Sequence, residues 1–210
     1  MTIDEEEYIC RHIEAEPTLL QELARYTNLH TINPRMAAGH IQGRILKMLC
    51  RMIKPQNILE LGTFTGYSAL CWAEGLDDNG HIDTIEINDE LEDTIRSFFA
   101  RSPYGNKITL HIGNAIDIMP QLNKTYDLVF IDADKRLYTE YFQLVLPKVK
   151  TGGFILADNT LWNGKLIQPL QHGDQQTRAL IAFNDFIAND KRVETVILPI
   201  RDGLTMMQKK

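Results

Sequence analysis

Apolar positions recur with two different periods along this chain, and the change falls near residue 55. Before it the spacing is helical, in about three pieces over residues 4–54. Ile41, Ile45, Leu46, Leu49, Met52 and Ile53 form one stripe and predict a helix over 36–53, ended by Pro55. Pro17 marks a break, and Thr18 offers an N-cap for a helix through residue 29. Asn33-Pro34 marks a turn. From residue 57 short apolar runs alternate with amphipathic stretches. The runs predict strands over 57–61, 81–87, 107–112, 126–132, 153–158, 193–198 and 204–208. Helices are expected near 67–76, 89–101, 114–122, 136–148 and 174–189. Such alternation implies right-handed crossovers and a parallel sheet. The link over 199–203 is too short for a crossover helix, so the last two strands should form an antiparallel hairpin. The expected organisation is one α/β domain over 1–210, with a helical cap over 1–54 and a sheet core over 55–210. Gly39 and Gly43 sit in the cap's last helix, where they permit either close helix packing or a mobile lid.

One stretch organises the rest. In Ile58-Leu59-Glu60-Leu61-Gly62-Thr63-Phe64-Thr65-Gly66-Tyr67-Ser68 a buried strand runs into a glycine turn and a helix start. A dinucleotide turn needs a second glycine two positions after the first, where a pyrophosphate approaches the backbone. Phe64 holds that place here, and Glu60 would repel a phosphate. A ligand with a nucleoside, a positive charge and no phosphate suits the turn. S-adenosylmethionine is such a ligand.

Composition narrows the partners. The chain has 210 residues and a net charge of −6, with no Lys/Arg run that would argue for a nucleic acid. The acidic start lacks a signal-peptide pattern, and no apolar run is long enough to span a bilayer. Cys10, Cys50 and Cys71 are odd in number and far apart, as expected of reduced thiols in a cytoplasmic protein.

Ligands of open α/β sheets bind beyond the carboxyl ends of the strands. The first strand ends at Glu60-Leu61-Gly62. The second ends at Glu86, 24 positions after Gly62, where an acid can accept both ribose hydroxyls. The third leads to Gly113-Asn114-Ala115, which can border an adenine. The fourth and fifth should be neighbours, so Asp132 would converge with Asp158 and Asn159. Two carboxylates and an amide oxygen are hard ligands for an octahedral divalent cation.

Four segments carry a family resemblance: Glu-Leu-Gly-Thr-Phe-Thr-Gly-Tyr-Ser at 60–68, Asp-Ala-Asp-Lys at 132–135, Asp-Asn-Thr-Leu-Trp-Asn-Gly at 158–164 and Asp-Gly-Leu-Thr at 202–205. They resemble the cation-dependent class I O-methyltransferases, which include the caffeoyl-CoA and catechol enzymes and many bacterial relatives. The resemblance implies a Rossmann-like fold with a seven-stranded, mostly parallel sheet and one antiparallel C-terminal strand. It implies S-adenosylmethionine contacts at Met36, Ala38, Glu60, Gly62, Thr63, Ser68, Glu86, Ala115, Asp132 and Asp134. Asp132, Asp158 and Asn159 look like the metal ligands, for Mg²⁺ first, with Ca²⁺ or Mn²⁺ as alternatives. Lys135 resembles the general base, and Asn163 sits at an acceptor-lining position. Trp162, Tyr138 and Phe64 are candidate flat walls for an acceptor ring. Residues 163–176 do not resemble the plant acceptor segment, which argues against a coenzyme A thioester. The expected acceptor is a catechol-like small molecule. The alternatives are a hydroxylated uridine in transfer RNA, which would need a basic face around Lys47, Arg51 and Lys54 or around Lys148 and Lys150, and a cofactor-binding protein without activity. A homodimer is expected, through apolar surface on the cap and on a 204–208 edge.

Overall fold

The period-two runs become seven strands in a computed structural model that describes residues 3–210. They are β1 (Asn57–Leu61), β2 (His81–Glu86), β3 (Ile108–Ile112), β4 (Tyr126–Ile131), β5 (Val149–Asp158), β6 (Val193–Leu198) and β7 (Leu204–Lys209). One sheet holds them in the order β3-β2-β1-β4-β5-β7-β6. The strands β1 to β5 pair in parallel, while β7 is antiparallel to both β5 and β6. The expected sheet, mostly parallel with one antiparallel C-terminal strand, is therefore the observed one. The strand β7 is not an edge, however. It is inserted between β5 and β6, so a second copy cannot dock along 204–208. Burial explains the order. Leu204, Thr205 and Met207 of β7 are buried, whereas residues 194–197 of β6 are exposed and suit an outer strand.

In the cap, α1 (Ile3–His12) and α2 (Thr18–His30) precede α3 (Gly39–Ile53). Thr18 is not the N-cap. Pro17 holds that position without a side-chain hydrogen bond, and its fixed φ of −57° prepares the first turn. The helix expected over 36–53 starts only at Gly39, because residues Pro34–Met36 wind into a separate 3₁₀ turn. Gly43 settles between the two readings of its position: an added Cβ would lie 2.7 Å from Cys71 Sγ and 2.8 Å from Tyr67 Cε1. Close packing of α3 on α4 (Tyr67–Gly75) requires a glycine there.

The remaining helices are α5 (Glu92–Arg101), α6 (Ala115–Ile118), α7 (Tyr138–Val145) and α8 (Gln175–Asn189). Apolar layers cover both faces of the sheet. Leu46, Cys50, Trp72 and Phe130 belong to one, Leu59, Val129, Phe142 and Phe183 to the other. Beside the first layer lies an ionic cluster whose two cations are buried. Lys47 of α3 reaches Glu74 of α4 and Glu14 of the α1–α2 link, each at 2.7 Å, and Arg44 reaches Glu74 at 2.7 Å. Buried charge of this kind persists only when paired. Cys50 and Cys71 are buried free thiols, both pushed up to about 12 chiefly by burial. Among the described residues no helix is long and apolar enough to cross a membrane.

Candidate functional site

A cavity of about 810 Å³ opens at the carboxyl ends of the strands. Its walls come from the 32–38 segment, the turn after β1, and the residues following β2, β3, β4 and β5. The β6–β7 hairpin adds Arg201 and Asp202. Met36, Ala38, Gly62, Thr63, Ser68, Glu86, Ala115, Asp132, Asp134, Lys135, Asp158, Asn159 and Trp162 all line it. The strand-end positions read from the sequence thus meet in one space. Glu60 lies just behind the wall, and Asn163 is exposed and stands outside it.

The turn after β1 is tight because Gly62 has φ +94° and a Cβ there would fall 2.0 Å from the Asp132 carbonyl oxygen. The Gly62 and Thr63 N–H groups both donate to Ile85 O, and Asp132 N–H donates to Leu61 O. These bonds lock the ends of β1, β2 and β4 together. Just before the turn, Glu60 is fully buried. Thr84 Oγ1 donates to its Oε2 at 2.6 Å, and Thr63 in turn lies 2.6 Å from Thr84. Its other oxygen, Oε1, has no hydrogen-bond partner among the described residues. Burial pushes the Glu60 carboxyl up to about 8, eased by the Thr84 hydrogen bond and the nearby Ser68 hydroxyl, which makes no hydrogen bond of normal geometry to it, and reinforced by the charges of Asp132 and Glu86. A buried carboxylate with a free oxygen calls for a cationic donor. The ammonium of a methionine moiety is one, so the residues present fit S-adenosylmethionine.

Glu86 ends β2 with both oxygens held from behind. Phe64 N–H donates to Oε2 at 2.6 Å and Asn88 N–H to Oε1 at 2.9 Å. Burial raises its pKa against these backbone donors. Each oxygen keeps a lone pair for a hydroxyl donor, as a ribose diol needs. Ala115 opens α6, whose start is capped by Asn114 Oδ1 on Ile116 N–H at 3.0 Å. Asp134 is engaged by Arg136, which holds its carboxyl below the usual range.

The ends of β4 and β5 bring the second set to the same cavity. Asp158 is buried, and burial together with the nearby Asp132 charge raises its pKa. Its Oδ2 accepts from Gln42 Nε2 at 2.7 Å and its Oδ1 from Asn159 N–H at 2.9 Å. Asn159 adopts φ +60°. Among the described residues no three His, Cys, Asp or Glu side chains form a ligand cluster. The set here is two carboxylates and one amide, all oxygen donors, which fits a hard divalent cation. Lys135 Nζ donates to Asp132 Oδ1 at 2.7 Å and to Tyr138 Oη at 2.6 Å.

Two aromatic expectations divide. Phe64 and Trp162 line the cavity, and the Trp162 indole N–H is buried without a partner among the described residues. Tyr138 is no wall: it is buried under Lys135, and its hydroxyl reaches the Ile131 and Asp158 carbonyls. Its spacing three residues after Lys135 on a helical turn was the available signal. Gln42 and Thr84 were missed, because neither lies in a motif and both act through contacts distant in sequence. The faces proposed for transfer RNA keep Arg51 and Lys54 exposed, while their other lysines are engaged. Lys47 is buried between acids, Lys150 pairs with Asp127 at 2.6 Å, and Lys148 Nζ donates to the Leu122 carbonyl.

Comparison with known proteins adds an independent line. The profile of a family described as O-methyltransferase matches residues 11–210. Caffeoyl-CoA O-methyltransferase 5 of Nicotiana tabacum is 33% identical over 92% of this chain and 85% of its own. Caffeoyl-CoA O-methyltransferase of Petroselinum crispum is 34% identical over the same shares. Among solved structures, an O-methyltransferase from Bacillus cereus in complex with SAH superposes with a TM-score of 0.90 at 27% identity, covering 97% of this chain and 96% of that one. TomG from Streptomyces achromogenes, in complex with SAM, gives 0.89 at 26% identity over the whole of both chains.

Proposed function

This chain belongs to the O-methyltransferase family, and from that premise we propose that it moves the methyl group of S-adenosylmethionine to a hydroxyl of a catechol-like small molecule, with a divalent cation at Asp132, Asp158 and Asn159. One observation carries the reading: a single cavity of about 810 Å³ is lined by Glu86, with Glu60 just behind its wall, and by Asp132, Lys135, Asp158 and Asn159. Glu60 Oε1 is the acceptor for the cofactor ammonium, and Glu86 for its ribose hydroxyls. When bound, the cation offsets the two carboxylates and lowers the pKa of an acceptor hydroxyl, as it does for water. Lys135 is the general base of this reading, with Nζ the atom that accepts the hydroxyl proton. Tyr138, fixed by two carbonyls, orients that amine. Trp162, whose backbone N–H donates to the Asn159 carbonyl at 3.2 Å, flanks the acceptor ring. Positioning supplies most of the acceleration, on the order of 7–11 kcal/mol for well-oriented reactants. The acidic net charge and the paired lysines support a small acceptor over transfer RNA.

The test is transfer of label from S-adenosylmethionine to a panel of catechols, with bulk transfer RNA alongside. Methylation of a vicinal diol, abolished by chelator and restored by Mg²⁺, is expected. Activity on transfer RNA alone, or full activity in excess chelator, overturns the acceptor or the cation respectively. Lys135→Ala should lower kcat by roughly 10²–10⁴-fold, with partial recovery at higher pH where the acceptor ionises unaided. Unchanged turnover at neutral pH would remove the lysine from the mechanism.

A further inference from the structure

The geometry points to a role for the hairpin between β6 and β7: Arg201, acting through Gln42, is a positioning residue for Asp158. The inference rests on the reading of Asp132, Asp158 and Asn159 as a cation site. It begins from the backbone. Arg201 adopts φ +47°, a conformation that disfavours any residue with a Cβ. Such outliers persist where the surroundings over-determine them, and they gather at functional sites. Here the side chain supplies the reason. The guanidinium Nη1 donates to the Ala38 carbonyl and to Gln42 Oε1. Among the described residues no acid pairs with Arg201, so it is not held as an ordinary surface ion pair.

Gln42 lies in the first turns of α3 and is 2% exposed. Its two ends face different partners. An arginine only donates, so Arg201 fixes Oε1 toward the hairpin and thereby aims Nε2 at Asp158 Oδ2, 2.7 Å away. Without the guanidinium the amide is free to turn over, which would set an acceptor oxygen against a carboxylate. Asp158 Oδ1 is held separately by Asn159 N–H. Both carboxylate oxygens are thus oriented from behind, the arrangement that fixes ligating carboxylates elsewhere. The relay also joins three distant parts of the chain. The hairpin holds the cap at Ala38 and Gln42, and the cap holds the end of β5. Ala38 lines the same cavity as Asp158, so one side chain ties the cap's wall segment to the carboxylate.

The test is titration of Mn²⁺ alone into the full chain, followed by calorimetry, for the wild type, Arg201→Gly, Gln42→Met and the double variant. Each single variant should weaken Mn²⁺ binding about tenfold, the scale for losing a partner behind a ligand. The double variant should lose no more than either single one, since the two residues act in series. Arg201→Gly should still unfold cooperatively, because the strain relieved at this φ offsets part of the cost of losing the bonds to Ala38 and Gln42. Excess Mn²⁺ should restore its turnover. A wild type that binds Mn²⁺ while both variants bind it equally well overturns the relay and leaves the cation site standing. A wild type that binds no Mn²⁺ overturns the cation site, and the relay with it.

Discussion

Glu60 shows how much one buried side chain can decide. It is fully enclosed, half-satisfied and raised to about 8. In the unfolded chain the same carboxyl titrates near the ordinary glutamate value of 4.5. Between those two values the folded, cofactor-free protein keeps a proton that the unfolded chain has released. Stability from this group is therefore present at low pH and falls as pH rises toward about 8. Glu60→Gln cannot ionise, so it should flatten that slope and stabilise the empty protein at pH 9, by an amount on the order of 1–3 kcal/mol. The same change should weaken S-adenosylhomocysteine binding by about 1–3 kcal/mol, because a neutral amide replaces the ammonium's counter-charge. Urea unfolding of both proteins at pH 5, 7 and 9, with calorimetry of the ligand, reads both effects. Parallel stability curves would show that Glu60 is ionised in the empty fold. This trade is what a binding site built from an unpaired buried acid should display: stability withheld from the empty protein and returned on ligation.

The contact between α3 and α4 makes the corresponding point for elements. Both helices are short, and neither is held by propensity alone. Gly43 lets them approach, and the Arg44–Glu74–Lys47 cluster closes the seam beside it. Gly43→Ala raises helix propensity by about 1 kcal/mol. It also drives a methyl to 2.7 Å from Cys71 Sγ and 2.8 Å from Tyr67 Cε1, and both of those side chains are buried. Overpacking of this kind costs about 1–3 kcal/mol, and no flexible chain end is available to yield. The packing term should win, giving a net loss near 1–2 kcal/mol in chemical unfolding. Because Tyr67 opens α4 at the cavity wall, cofactor affinity should fall alongside. A variant as stable as the wild type would show that the seam is loose.

On the scale of the whole molecule the open question is association. The strand β6 leaves the sheet with an unpaired edge carrying exposed Val196 and Ile197, while α3 exposes Met48 and Met52. We expect a homodimer, which needs about 800 Å² of surface from each partner. Light scattering at micromolar concentration should then give twice the chain mass of 24.1 kDa. A mass near one chain contradicts the expectation. Val196→Lys separates the two faces, since a lysine on an open strand edge opposes pairing there and leaves α3 untouched.

The division between what was legible in the sequence and what was not follows the range of the forces involved. Strand and helix order, the hairpin at 199–203 and the glycine turn at Gly62 rest on local periodicity and turn chemistry, which a chain displays residue by residue. The meeting of Glu86, Asp132, Asp158 and Asn159 in one cavity was also readable, because in a parallel sheet all strand ends share one edge. Other features waited for the fold. The place of β7 between β5 and β6 depends on which strand buries both faces. The late start of α3 at Gly39 depends on a turn that the 34–36 segment makes. Tyr138 looks like any helix aromatic until Lys135 lies across it. Gln42 and Asp158 are 116 positions apart, and no pattern in the chain links them. Their hydrogen bond exists because α3 packs over the end of β5 while Arg201 holds the far side of the amide. Contacts of that kind are decided by packing among distant segments, and only the tertiary structure carries that information.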